Sequence, residues 1–487
     1  MEISTLGMLL ASLLLIVSIV MSKTSLKMGV PALVMFLVLG MLAGEDGLGY
    51  EFDDALMAQS FGNIALSVIL FYGGLNTKFQ SIKPVMAEGV SLATFGVLLT
   101  CVAVGGFVYL VSGFTLLESL LLGAVVSSTD AAAVFSIFKT RKVALKRRLK
   151  DVIELESASN DPMASILTIT LVALIQAPGT TWWSILLQFV AQMLVGLMSG
   201  ALFGWLSVKF INRVKLDFAG LYPVLLIGLN IFIYATTTYL HGNGFLAIYI
   251  AAVMIGNSAI EHKRSMLTFY DGFAWLMQIV MFLMLGLLVT PSTMLEYAGI
   301  GLAVSAFMIL AARPLAVFAS LLPFTKMKAM DKLFVSWCGL RGAVPIVFAT
   351  YPMLAGVEAA DAIFNIVFYI TLTSMLIQGT TFSRVARWMG LSLHDDDQGT
   401  FIFNEQDDFN SELQEIDLAN PDCDGQPIMS LGLPEGALVV YVKRGKQYIT
   451  PRGNTEVKAG DKLLVMSNDA ETMKVAKNLL SGDTKNG

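Results

Sequence analysis

Three short stretches place charged and hydroxyl side chains inside apolar sequence at spacings that could support chemistry. The first is Ser127-Ser128-Thr129-Asp130. Four polar residues in a row make a poor lipid-facing helix. They suit a local unwinding, in which backbone groups turn toward a cavity and are satisfied by side chains or water. A regular helix with hydroxyls bonded back to the preceding turn would leave Asp130 to snorkel, and it lies far from the expected helix end. The second stretch is Glu154-Leu155-Glu156-Ser157-Ala158-Ser159-Asn160-Asp161-Pro162. Residues four apart stack on a helix, so Glu156 and Asn160 share one face, with Ser159 slightly off it. Ser157 and Asp161 share a second face, rotated by about 100°. Pro162 removes a backbone donor and is expected to loosen the helix around residue 158. One face can then hold an ion pair while the next presents a carboxylate and a hydroxyl to a cavity. Glu154 reads as a solvated helix start near Lys150. The third stretch is Gly339-Leu340-Arg341-Gly342-Ala343-Val344-Pro345, where glycines flank an arginine and a proline follows, a second place to interrupt a helix. Carboxylate, hydroxyl, amide and freed carbonyl oxygens are hard ligands that suit Na⁺ or K⁺ rather than a transition metal. Only three His occur, and Cys101, Cys338 and Cys423 form no paired motif. Neither a zinc site nor a disulfide framework is expected.

The elements that position these residues must sit in lipid. Of 487 residues, 55% are apolar or aromatic and only 14% are charged, against about 25% charged in a typical soluble domain. A bilayer core about 30 Å thick takes roughly 20 apolar residues per helix. Thirteen such runs are read, at about 5–22, 28–43, 60–75, 85–111, 115–138, 153–176, 183–208, 218–240, 243–257, 268–290, 296–322, 332–351 and 362–386, the second and ninth being short. This count puts 21 Lys/Arg in the loops after odd-numbered spans and none in the opposite loops, which carry Glu45, Asp46, Glu51, Asp53, Asp54, Glu118, Glu296, Glu358 and Asp361. Lys and Arg collect in cytoplasmic loops, so the N-terminus is expected outside and the C-terminus inside. The first span lacks a basic leader and a small-residue cleavage site, and is expected to be a retained helix rather than a signal peptide. Two cations remain inside the spans, Arg313 and Arg341. Each is costly at mid-bilayer and needs a partner, expected among the acids of the fifth and sixth spans. The fifth and twelfth spans hold equivalent positions in two six-span repeats around the seventh, the sequence pointer to a site at the membrane midplane.

At these residues the sequence resembles the NhaP-type monovalent cation:proton antiporters, the branch related to sodium/proton exchangers. The resemblance rests on Thr129-Asp130, Glu156-Ser157-x-x-Asn160-Asp161, Arg313-Pro314 and Gly339-Leu340-Arg341-Gly342-Ala343, and extends over residues 1–390. It implies an all-α polytopic membrane fold of thirteen helices with two inverted repeats. The crossing helices would be broken at Ser128 and at Gly339, Arg341 and Gly342. It also implies a core domain and a dimerisation domain, hence a homodimer, in a bacterial inner membrane. By the same resemblance Asp161 binds cation and proton in alternation, supported by Asn160, Ser157, Thr129 and Asp130, while Glu156 and Arg313 form a structural ion pair that fixes Asn160. Arg341 either stabilises helix ends and carbonyls at the crossing or tunes the response to pH, and is not a ligand. An Asn before the Asp, where electrogenic relatives carry a second acid, implies one-for-one, electroneutral exchange. The physics agrees: a lone buried carboxylate is costly when charged and unpaired, so it carries either a proton or a cation. Competition for one group makes the exchange obligatory and requires no cofactor. A cation channel would need a continuous polar pore or repeated selectivity loops, and no repeated filter-like segment occurs. An intramembrane aspartyl enzyme would need Asp130 and Asp161 to face each other, and the HExxH pattern of a zinc hydrolase is absent. No enzymatic activity is expected.

The remaining charge lies in the tail. Residues 1–390 hold 23 Lys/Arg against 20 Asp/Glu, whereas residues 391–487 hold 9 against 17. Residues 391–408 read as an acidic linker that includes His394-Asp395-Asp396-Asp397. Strands are expected over 411–418, 437–443, 447–450 and 462–466, with turns at Arg444-Gly445-Lys446 and Gly460-Asp461. A helix over 469–480, capped by Asn468 or Asp469, completes a small soluble α+β module. Residues 409–487 resemble the C-terminal ligand-binding half of RCK-type potassium regulatory domains, the TrkA-C module. The matching pieces are Leu431-x-Leu433-Pro434-x-Gly436, Arg444-Gly445 with Pro451, and Gly460-Asp461-x-Leu463-x-Val465. The resemblance tilts the cation toward K⁺ over Na⁺ and implies dimeric regulation by a small ligand of nucleotide type, although no glycine-rich phosphate loop follows a strand. The alternative is an assembly or trafficking domain. Related K⁺/H⁺ antiporters often continue into a further soluble domain, whereas this chain stops at Gly487. No nucleic-acid partner is expected.

Overall fold

In the computed structural model the described residues are 5–28, 31–50, 52, 54–130, 134, 145, 147–177, 179, 181–391, 413–445, 447–467 and 470–482. The chain divides into two compact units, Met1–Ser392 and Leu393–Gly487. The expected acidic linker beyond Leu391, the basic residues Lys139, Arg141, Lys142 and Lys146, the acids Glu51 and Asp53, most of the second half of the fifth span, Lys446 and the cap residues Asn468 and Asp469 lie outside the described residues.

The first unit is helical. Its helices are α1 (Thr5–Met28), α2 (Ala32–Ala43), α3 (Ala55–Asn76), α4 (Phe79–Ser112), α5 (Leu116–Val125), α6 (Arg147–Gln176) and α7 (Trp182–Arg213). They continue with α8 (Leu221–Tyr239), α9 (Gly244–Gly256), α10 (Lys263–Leu287), α11 (Pro291–Ser320), α12 (Ala329–Trp337), α13 (Ala343–Leu354) and α14 (Ala360–Trp388). Among the described residues eight of these, α3, α4, α6, α7, α8, α10, α11 and α14, are long and apolar enough to cross a membrane, and α2, α5, α9, α13 and the Gly7–Lys23 part of α1 are shorter apolar helices. Local chemistry fixes several ends. Thr115 and Glu118 form a reciprocal capping box at the start of α5, satisfying two orphan amides at once. Gly113 takes a left-handed φ of 75° at the end of α4, which costs glycine no steric clash. The Asp54 carboxylate accepts the Met57 amide at 2.8 Å to start α3.

Packing groups the helices. One group joins α1, α2, α3 and α7 to α10, and the other joins α4, α5, α6 and α11 to α14, with α6 and α13 meeting both. Small residues allow close approach where hydrocarbon gives helices no hydrophobic reason to associate. Gly196, Gly200 and Gly204, one turn apart on α7, press on α9 so closely that a Cβ would come within 2.9, 2.7 and 2.9 Å of its atoms or its cap. Elsewhere α7 turns large apolar side chains outward, with Leu187 62%, Met198 71% and Trp205 54% exposed, as a lipid-facing surface does.

Two features went unread in the sequence. A π-helical turn at Leu92–Gly96 lies in α4 and another at Met308–Ala312 in α11, each in the helix that precedes an interrupted crossing. These two helices pack on each other. Phe107 stacks on Phe307 with ring centroids 4.2 Å apart, and the Ser91 hydroxyl donates to the Ser320 carbonyl at 2.8 Å. The opposite correction concerns Pro162. α6 runs unbroken through it; the carbonyl that loses its helical donor is that of Ala158, one turn earlier, while the Pro162 carbonyl accepts the Ser165 hydroxyl and the Asn243 amide, at 2.8 and 3.1 Å.

The second unit carries a four-stranded antiparallel sheet of order β1-β4-β2-β3, from β1 (Leu413–Asp417), β2 (Ala437–Arg444), β3 (Gln447–Ile449) and β4 (Lys462–Ser467). Helix α15 (Ala470–Ser481) packs on it. Ile416, Val442, Leu463, Val465, Met473, Ala476 and Leu480 form the core. Arg444 at the end of β2 reaches Asp461 beside β4 with Nε at 2.9 Å and Nη2 at 2.7 Å.

Candidate cation site

The polar stretches converge where two interrupted helices cross. α5 ends at Val125 and leaves residues 126–130 without regular helix, while α12 ends at Trp337 and α13 begins at Ala343. The two unwound segments bond to each other: the Asp130 amide donates to the Leu340 carbonyl at 2.8 Å, and the Arg341 guanidinium donates to the Ser128 carbonyl. Glycine at 342 is required by contact, since a Cβ there would overlap the Asp130 carboxylate. Gly339 similarly makes room for the Arg313 side chain, whose Nε would lie 2.5 Å from an added Cβ.

α6 passes beside this crossing and supplies the carboxylates. Asp161 is 5% exposed and accepts a hydrogen bond from the Ser128 hydroxyl. Asp130 and Arg341 are close enough for their charges to act on it. Asn160 is held by Thr129: its carbonyl oxygen accepts the Thr129 amide at 3.3 Å, and its Nδ2 donates to Thr129 Oγ1. The hydroxyls of Thr129 and Ser157 are 3.0 Å apart. One turn before Asn160, Glu156 pairs with Arg313 of α11, both essentially buried.

The residues singled out in the sequence therefore occupy one neighbourhood, with roles distributed differently from the expectation. Ser128, read only as part of a helix break, touches Asp161 directly. Among the hydrogen bonds of the described residues Asn160 is fixed by Thr129 and not by the Glu156–Arg313 pair. Arg341 is fully buried, and its Nε and Nη2 have no hydrogen-bond partner among the described residues. Glu154 is not a solvated helix start: it is half-buried, with the Thr77 hydroxyl 3.1 Å from its Oε1.

Three supporting residues were missed. The Ser374 hydroxyl accepts the Arg341 amide at 2.9 Å and donates to the Gln378 side chain, whose Nε2 donates to the Trp337 carbonyl at 3.0 Å. This chain satisfies backbone groups freed by the break between α12 and α13. Asn243 caps α9 through the Leu246 amide and also donates to Ser165 Oγ at 2.9 Å. The available signal was weak: Ser374 and Gln378 stand four apart in an otherwise apolar span, and Asn243 precedes an apolar run as a cap residue would.

The carboxylates, hydroxyls and backbone oxygens gathered here form an oxygen-rich, buried crossing of half-helices, the arrangement of a secondary transporter. The chain belongs to the sodium/hydrogen exchanger family: the family's transmembrane model matches residues 11–388, and the TrkA-C domain model matches residues 413–480. It is thus a multi-pass membrane transporter with a C-terminal TrkA-C domain, not an enzyme. Among similar proteins, the K(+)/H(+) antiporter NhaP of Alkalimonas amylolytica is 44% identical over 394 residues, covering 81% of this chain and 68% of that protein. The K(+)/H(+) antiporter NhaP2 of Shewanella sp. (strain MR-4) is 40% identical over 483 residues, covering 97% of this chain and 83% of that protein. The fold is similar to that of the sodium proton antiporter MjNhaP1 from Methanocaldococcus jannaschii at pH 8, with a TM-score of 0.68 at 22% identity over 78% of this chain and 100% of that one.

Proposed function

We propose that this chain exchanges a monovalent cation, K⁺ in preference to Na⁺, for H⁺, one for one, with Asp161 as the group for which both compete. The observation that carries the reading is the charge balance at the crossing. Asp130, Glu156 and Asp161 stand against Arg313 and Arg341, all buried. With all five ionised, one negative charge is left over, and a single proton or a single monovalent cation neutralises it. An uncompensated charge in a low-dielectric interior is strongly unfavourable, so the empty, charged state is disfavoured and the two ions exclude each other. Ser128, Ser157, Thr129 and Asn160 supply neutral oxygens around the carboxylate, and the Glu156–Arg313 pair holds α6 against α11 without taking part in exchange.

The preference for K⁺ is supported by the names of the relatives and by the TrkA-C domain. The eight long helices together with α1, α2, α5, α9 and the α12–α13 pair support thirteen spans. The segregation of Lys/Arg among their loops supports a periplasmic N-terminus and a cytoplasmic tail in a bacterial inner membrane. In this reading residues 1–390 carry transport, 391–408 link, and 409–487 regulate in response to a small ligand, within a homodimer.

Exchange in proteoliposomes, with K⁺ and Na⁺ in parallel and with or without an imposed voltage, tests the proposal. The expected result is K⁺-driven proton movement that voltage does not change, reduced to background by Asp161→Asn in a folded protein. Voltage-dependent turnover would overturn one-for-one exchange. Downhill K⁺ flux through the Asp161→Asn protein would indicate a conducting pore instead.

A further inference from the structure

Asp161 has a companion carboxylate on its own helix that the exchange described above leaves unused. Glu154 precedes it by seven residues, so the two share a face of α6 about 10 Å apart, with Glu154 nearer the Lys150 end. It looks across to the end of α3 and to α9. The Thr77 oxygen lies 3.1 Å from Glu154 Oε1 and 2.9 Å from the Gly73 carbonyl. A hydroxyl has one proton to donate, so it cannot serve both acceptors fully. When it donates to Gly73, its lone pairs face the carboxylate. The phenol of Tyr249 lies beside Thr77 and Glu154 and is 5% exposed as a residue; Thr77 is within reach of its oxygen, but no well-formed hydrogen bond satisfies it among the described residues. A buried hydroxyl left unpaired calls for an explanation. Three oxygen-bearing side chains thus meet around a carboxylate that no cation pairs among the described residues and a phenol that is poorly satisfied.

The walls of this site are fixed. Asn257 at the end of α9 donates to the Thr77 carbonyl at 2.8 Å and accepts the Phe79 amide at 2.9 Å. Gly74 lets α3 press on α9, since a Cβ there would come within 2.7 Å of Ala252 and 2.9 Å of the Tyr249 carbonyl. The charges acting on Glu154 are Lys150 and Asp151 of its own helix. No ion pair neutralises it among the described residues.

We propose that Glu154, Thr77 and Tyr249 form a second monovalent-cation site, a station at which the cation or a proton is held on the way to and from Asp161. The carboxylate and two hydroxyls are hard oxygen ligands of the kind an alkali cation takes. A cation seated between them accepts the lone pairs of Thr77 and Tyr249 and neutralises Glu154. The station rests on the antiport reading, because it serves the same ion on its path to the same carboxylate.

The test is K⁺/H⁺ exchange by the full chain in proteoliposomes across a range of K⁺ concentrations at fixed pH. Glu154→Gln should raise the half-saturating K⁺ concentration about tenfold, a larger change than in maximal turnover. Tyr249→Phe, which removes one ligand oxygen and no charge, should shift it in the same direction by less. A purely structural role would lower thermal stability and turnover together without this split. A wild-type half-saturation value in Glu154→Gln overturns the station. If Glu154→Gln does not fold, a wild-type value in Tyr249→Phe overturns it instead. Absence of any exchange by the wild-type chain would refute the antiport reading, whereas normal exchange with unshifted variants refutes the station alone.

Discussion

At the scale of residues, the crossing is organised by which charges are paired and which are not. Glu156 and Arg313 neutralise each other across α6 and α11 while almost wholly buried. Taking one partner away strands the other, which typically costs about 3–5 kcal/mol. Arg313→Ala is therefore expected to lower the unfolding temperature and yield of the solubilised protein more than it changes cation affinity. Thermal unfolding in parallel with exchange kinetics checks this, and a collapse of affinity at unchanged stability would contradict it. Asp161 differs in kind: its hydrogen-bond partner in the structure is a hydroxyl, which orients a carboxylate without neutralising it. The types of these residues were visible in the sequence, because charged side chains inside apolar spans need a reason to be there. Their pairing was only partly visible. Helical spacing puts Asn160 on the face of Glu156, yet Thr129, thirty-one residues away in sequence, is what holds it.

At the scale of elements, the site depends on two helices that stop and restart. The sequence located both interruptions through runs of polar residues and glycine. It did not reveal that the unwound segments bond to each other, or that Gly342 is required by the Asp130 carboxylate of the other segment. Gly342→Ala forces overpacking, expected to cost about 1–3 kcal/mol and to depress exchange. Gly106 on α4 has nothing within 4 Å of an added Cβ, so Gly106→Ala should be neutral or slightly stabilising. Comparing the two variants by unfolding temperature and turnover separates contact at the crossing from the general effect of changing a glycine. The π-helical turns in α4 and α11 escaped the sequence entirely. An extra residue turns the following side chains by about 100°, but α4 and α11 are so apolar on all sides that no polar face registers the shift. Pro162 gave the opposite lesson: a residue that disfavours helix sits inside an unbroken α6, where tertiary packing overrides local propensity.

At the scale of the whole molecule, the two units meet different solvents and are held together by different forces. The membrane unit keeps its charges few, with Glu156 and Arg313 paired in its interior. The tail relies on a small apolar core and on the Arg444–Asp461 pair. Burial pushes the Asp461 carboxyl up, but the Arg444 hydrogen bonds and the Lys458 amide outweigh it and hold the carboxyl below its ordinary range. Its folded value is thus lower than its unfolded one, so its stabilising contribution is complete above the ordinary Asp value of about 3.9 and is lost as pH falls through the lower folded value. Hydrogen exchange on the intact chain is expected to show β4 amides losing protection as the pH drops below about 4. Asp461→Asn should flatten that acid dependence, and an unchanged profile would remove Asp461 from the account.

The sequence by itself determined the solvent of each unit, the positions of the helices and of most strands, and the residue types at the crossing. These follow from local composition and periodicity, which require no knowledge of the fold. Only the tertiary structure decided that Ser128 touches Asp161, that Thr129 fixes Asn160, that Ser374 and Gln378 support the broken helix, and that Glu154 meets Thr77 and Tyr249. Each of these contacts joins residues 28 or more positions apart except the link within Ser374–Gln378. Spacing along a single helix sets which side chains share a face, whereas the partner across the gap is set by how helices distant in sequence pack.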